Sequence, residues 1–118
     1  MKEKEVFSFY FSDHPASSIR PNYPKAILVK EVPNYFNRQV EMIVLIESMK
    51  TITTKKGDKM AFLSGSDETG TMDFTLFPRI FERYMNVQKG QLYVIRGNVE
   101  KRVDQYEIIV QGMEKVDS

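Results

Sequence analysis

Cysteine is missing from all 118 residues. That excludes disulfides and thiol nucleophiles, and it allows an intracellular home. Histidine is nearly missing. His14 is alone, so no His/Cys set exists to build a metal centre. An Asp13-His14 pair feeding Ser12, Ser17 or Ser18 is conceivable, but sequence neighbours rarely form a triad and no oxyanion-hole motif accompanies them. Long apolar runs are absent: the longest, Met42–Ile46, is far shorter than the ~20 residues of a bilayer span. The opening MKEKE mixes charge signs and has no secretory apolar region. Net charge is only +1, so affinity for a polyanion must come from a local patch. Gly57, Gly65, Gly70, Gly90 and Gly97 read as turns and tight points. None sits in the strand–loop–helix context of a phosphate-binding loop.

What is present fits one soluble globular domain. Apolar residues make up 42% and charged residues 28%. Lys4–Phe11 reads as a short helix with Val6, Phe7, Phe9, Tyr10 and Phe11 spread over roughly 200°. So broad an apolar arc needs cover, from the domain or from a neighbour. Ser12–Arg38 holds Pro15, Pro21, Pro24 and Pro33, and reads as an extended connector with short structured pieces, including a strand near Ala26–Val29. We thus divide the chain into an N-terminal helix and connector (1–38), a domain (39–114) and a tail (115–118).

From Gln39 onward the pattern is rich in strands: Gln39–Met49, Lys59–Asp67, Thr71–Phe77, Gln91–Val99 and Gln105–Met113. Pro78 opens a helix over Arg79–Asn86, with Ile80, Phe81 and Tyr84 as its apolar stripe. Five strands with a helix between the third and fourth are the signature of the all-β, five-stranded Greek-key barrel called the OB-fold. Alternation then assigns faces. Ala61, Leu63, Gly65, Met72, Phe74 and Leu76 point inward. Phe62, Ser64, Asp73, Thr75 and Phe77 point outward, on the surface that OB-folds use for ligands. The first strand fits only if a bulge switches its parity midway.

One loop concentrates positive charge. Lys50, Lys55, Lys56 and Lys59, with Thr53 among them, are opposed only by Asp58. Lysines neutralise phosphates without reading sequence, and strand-mounted rings such as Phe62 stack on unpaired bases. Lys101 and Arg102 lie in the Glu100–Asp104 connection, the other loop that flanks the face. Arg79 and Arg83 fall on the helix, away from it.

These residues resemble a known family. The opening EKEVFSFYFSDHP is similar to the E-K-E-x-x-G-F-Y-x-S-G-H-P segment of bacterial DNA polymerase III alpha subunits. TKKGDKMAFLSGSDETGTMDFTLFPRIFERY and VIRGNVEKR resemble that family's T-K-K-G-x-x-M-A-F, D-x-T-G, V-F-P-x-x-F-E-x-Y and G-x-V-E-x-R. The likeness covers nearly the whole chain. Ser8, Asp13 and Ala16 depart from it, which bears on the connector's turn geometry. Gly65 stands where a larger aliphatic is common, which predicts a looser barrel there. The resemblance implies a C-terminal OB region of a much longer, cytoplasmic DNA-directed DNA polymerase, a nucleotidyltransferase. The expected partners are single-stranded DNA, the remaining polymerase domains and replisome subunits, with no membrane. No motif here matches the magnesium-holding carboxylates of the parent enzyme, so the segment itself is expected to be neither an enzyme nor a cofactor carrier. Two other readings compete: a protein-interaction module with negligible nucleic-acid binding, and a synthetase anticodon domain, since D-x-T-G recurs there. The EKEVFSFY opening argues against the latter.

Overall fold

The computed structural model describes residues 14–116. The helix expected over Lys4–Phe11, with its apolar arc, lies outside them.

After a short parallel strand, β1 (Ala26–Ile27), five long strands follow: β2 (Gln39–Thr53), β3 (Lys59–Asp67), β4 (Gly70–Leu76), β5 (Leu92–Arg102) and β6 (Gln105–Lys115). The sheet runs β1-β2-β3-β4-β6-β5, and β2 also pairs with β5, so β2 to β6 close into a barrel. All barrel pairings are antiparallel except β4 with β6. This is the Greek-key closure expected of an OB-fold. The last strand extends beyond Met113, and buried Val116 donates its N–H to Leu92 O.

β2 bends as its mixed pattern requires. Val40, Met42, Val44 and Ile46 are buried. The pairing with β3 then skips Glu47, and Ser48 and Lys50 resume opposite Ser64 and Phe62. One extra residue thus sends even-numbered side chains from the interior to the outer face. The core inside is continuous, from Met42 and Val44 through Leu63, Phe74, Ile95 and Ile108 to Val110. Gly65 does not loosen it, contrary to expectation. An added Cβ there would meet Phe74 Cε1 and Val44 Cγ2 at 2.9 Å. Neighbouring side chains already fill the volume that a larger residue would take.

The helix after Pro78 is shorter than expected. α2 spans only Pro78–Phe81, and Arg83, Tyr84 and Val87 continue in turns with N–H bonds to the carbonyl three residues back. So short a segment gains little from helical propensity. Packing decides instead: Phe81 is buried, and half-buried Ile80 and Tyr84 lie against the core.

The connector is more structured than an extended segment. α1 (Pro15–Ile19) is followed by 3-10 turns at Arg20–Asn22 and Val29–Tyr35. Pro15 and Pro21 occupy first-turn positions, where no N–H is needed. Ala16 of α1 covers outward-facing Ile43 and Val94, making a second small core on the barrel's outside with Val116.

Candidate nucleic-acid interface

The β3–β4 turn anchors the connector to the barrel. Asp67, whose side chain is 0% exposed, accepts from Thr69 N–H and Oγ1 at 2.7 Å through Oδ1, and from Val29 N–H at 2.8 Å through Oδ2. Thr69 Oγ1 in turn accepts from Lys30 N–H at 3.2 Å. Arg20 grips Glu68 with two hydrogen bonds of 2.6 Å. Burial pushes the Glu68 carboxyl up, but the Arg20 hydrogen bond, a backbone N–H and Arg20's charge together hold it below the ordinary range. The Arg20 guanidinium is held above its usual value, chiefly by that hydrogen bond. His14 caps α1: its Nδ1 accepts from Ala16 N–H at 3.0 Å, and Nε2 lies 3.1 Å from Ser66 Oγ, which donates to Glu47. Ser17 and Ser18 donate to the carbonyls of His14 and Pro15. His14 is therefore engaged in holding the connector. The 29–35 turn, so fixed, stands beside the outer face of β3 and β4.

That face holds a cavity of about 390 Å³. Phe62, Ser64, Asp73 and Thr75 line it together, as the alternation predicts, and Lys50 joins them because β2 runs on to Thr53, past the expected strand end at Met49. Lys50 sits directly opposite Phe62, and Ser64 opposite Asp73. Half-buried Phe62 faces outward, as expected. Thr75 points outward but is only 1% exposed, and its hydroxyl donates to Glu107 Oε1 at 2.7 Å. Its side chain is spent on joining β4 to β6.

The remaining expected residues surround this centre. Exposed Lys55 and Lys56 lie at the tip of the β2–β3 hairpin, where Gly57 turns the chain with φ +90°. Thr53 pairs with Lys59 on the opposite hairpin face from Lys50 and Phe62, so neither lines the cavity. Phe77 is 46% exposed at the start of α2, apart from the lining. Lys101 places its ammonium 5.7 Å from the Tyr106 ring centre, a cation–π contact. Arg102 is the last residue of β5, paired with Gln105. Arg79 and Arg83 are exposed on and after α2, away from the face.

Sequence reasoning missed Ser48, Gln105, Tyr106 and Glu107, which with Leu63 complete the lining. Alternation carried past the β5–β6 connection would have found Glu107, one residue off the buried Ile108. Tyr106 has the inward parity of Ile108, and only the barrel's end lets it reach the groove. A second cavity of about 410 Å³ adjoins the first and shares Ser64, Asp73, Gln105 and Tyr106 with it. Its far wall is Val29, Val32 and Pro33 of the connector.

Residues 39–116 match the family model of the OB-fold nucleic acid binding domain. The chain belongs to that family. Over 118 residues it is 36% identical to the DNA polymerase III subunit alpha of Bacillus subtilis (strain 168), covering 98% of this chain and 11% of that protein. The chain therefore spans about a tenth of the length of that relative. Two solved structures share the OB-fold with little sequence. A domain of replication protein A from Methanococcus maripaludis superposes with a TM-score of 0.60 at 18% identity, covering 70% of this chain and 87% of that one. Asparaginyl-tRNA synthetase from Pyrococcus horikoshii gives 0.60 at 17% identity, covering 79% and 22%. Such likenesses establish the fold alone and leave the choice between DNA and RNA to the site and the closer relatives. No helix among the described residues is long and apolar enough to cross a membrane. Nor do the described residues contain a His/Cys/Asp/Glu group suited to a metal ion.

Proposed function

We propose that this OB-fold domain is a non-catalytic, single-stranded DNA-binding module of a bacterial DNA polymerase III alpha subunit. It holds the template near the active site of the longer, cytoplasmic polymerase during replication. The carrying observation is the groove itself: an outward phenylalanine and a lysine face each other across β2 and β3, above a polar floor. Phe62 offers a π-face to a base, Lys50 neutralises a phosphate, and the β2–β3 hairpin extends further lysines beyond the barrel. Similarity to subunit alpha along nearly the whole chain favours template DNA over an anticodon. Polymerisation belongs to the rest of the parent protein, whose domains and replisome partners are this module's proposed neighbours.

Fluorescence anisotropy with labelled oligo-dT at two salt concentrations tests the reading. Binding is expected to be weak, tolerant of base identity and much stronger at low salt. Phe62→Ala should cost roughly 1–3 kcal/mol of binding. A folded Phe62→Ala protein that binds like wild type would exclude the stacking role. If no oligonucleotide binds even at low salt, the groove is a protein-docking surface instead. Primer extension by the isolated chain is expected to give no product; template-dependent incorporation would overturn the non-catalytic assignment.

A further inference from the structure

The groove does not end where the family's domain ends. The matched domain begins at residue 39, yet Val29, Val32 and Pro33 wall the second cavity. Just beyond that turn, Phe36 is 48% exposed, a large price in water contact for an aromatic ring. It is not loosely placed. Its ring meets Tyr106 edge to face, with centroids 6.3 Å apart and planes at 75°. Tyr106 lines both cavities and carries the Lys101 ammonium near its ring. The flanking backbone is also held: Asn37 N–H donates to Val99 O and Val99 N–H to Arg38 O. An exposed aromatic that lines neither cavity itself thus rests on Tyr106, the ring that lines both and that has the Lys101 ammonium near it.

We propose that the connector is part of the binding surface and that Phe36 is a second base-stacking platform, with Tyr106 as its positioning residue and Lys101 as the nearby phosphate contact. The occupant is the same single-stranded nucleic acid, because the two cavities share Ser64, Asp73, Gln105 and Tyr106 and form one path. This inference rests on the proposed function and adds a length to it. A short oligonucleotide satisfies Phe62 alone, whereas a longer one reaches both platforms.

The test is an oligo-dT ladder of about 4 to 16 nucleotides, the range of site sizes for one OB-fold, titrated against the full chain. Wild type should gain affinity with length until both platforms are covered. Phe36→Ala should leave the shortest oligonucleotides unaffected and weaken the longer ones about 5-fold or more, as loss of a stacked base implies. Phe36→Leu keeps an apolar side chain against Tyr106 but removes the π-face. If the alanine variant fails to fold, the same length-dependent loss in the leucine variant carries the inference. A folded variant that matches wild type at every length, while Phe62→Ala weakens all lengths, overturns the second platform and leaves the proposed function standing. Failure of wild type to bind any length at low salt overturns both.

Discussion

Gly97 lies where β5 passes the irregularity between Arg96 and Gly97 in its pairing with β6, and a methyl group has no room there. A Cβ at this position would stand 2.3 Å from Ile109 O and 2.8 Å from Ile108 Cγ2. Backbone oxygen in a closed barrel cannot step aside as the end of a side chain can. Gly97→Ala should therefore destabilise the fold by about 1–3 kcal/mol, read as a lower urea midpoint with an unchanged slope. Val103 presents the opposite case. Its φ is +53°, a left-handed conformation that a β-branched residue adopts at a cost, and it is 85% exposed at the β5–β6 turn. Asn tolerates that conformation. Val103→Asn should raise stability by about 1 kcal/mol in the same measurement, since no buried contact is lost. Neither effect is legible in the sequence. Gly97 is one glycine among several, and Val103 sits in a stretch whose charges draw more notice. Gly65 shows why. Its meaning depends on Phe74 and Val44, which lie on other strands.

Elements were legible wherever the local pattern also decided the packing. The period-two alternation of Lys59–Asp67 and Gly70–Leu76 gave the correct faces because one side of each strand is core. The parity change in β2 likewise marked its bulge in advance. The end of α2 and the coiling of the connector were hidden, since both are set by contacts distant in sequence. The connector is held by the Arg20–Glu68 pair, Asp67 and the His14 cap, which join residues 14–31 to the β3–β4 turn. Glu68→Gln should thus loosen the connector and lower stability by about 1–2 kcal/mol at neutral pH, near the low end because the pair still touches solvent. The pH dependence has a definite sign. The Glu68 carboxyl titrates lower when folded than when unfolded. Its contribution is complete above the ordinary glutamate range and fades as pH falls through the lowered folded value. The stability gap between wild type and Glu68→Gln should therefore be widest at neutral pH and close in acid. A gap that stays constant with pH would show that the ion pair is not its source.

On the scale of the whole molecule, the groove's centre was legible and its ends were not. Phe62, Ser64 and Asp73 come from adjacent strands whose register the hairpin fixes, so alternation sufficed to bring them together; Lys50, expected in the loop, joins them because β2 continues to Thr53. The connector wall and Tyr106 reach the site only through barrel closure, which no local pattern encodes. Charge follows the same division. The protein's net charge of +1 gives no general attraction for a polyanion, yet Lys55 and Lys56 are carried to the exposed tip of the β2–β3 hairpin, away from the acidic floor of Asp73 and Glu107. If these two lysines each meet a phosphate, each releases condensed counterions and contributes a slope of about −0.7 in log K against log salt. Replacing both by alanine should then flatten the slope by about 1.4 and weaken every base sequence alike. Phe62→Ala should weaken binding with the slope intact, because stacking releases no counterions. One titration series over salt separates the two defects. An unchanged slope in the double lysine variant would remove the hairpin tip from the binding surface and confine the phosphate contacts to Lys50 and Lys101, beside the groove.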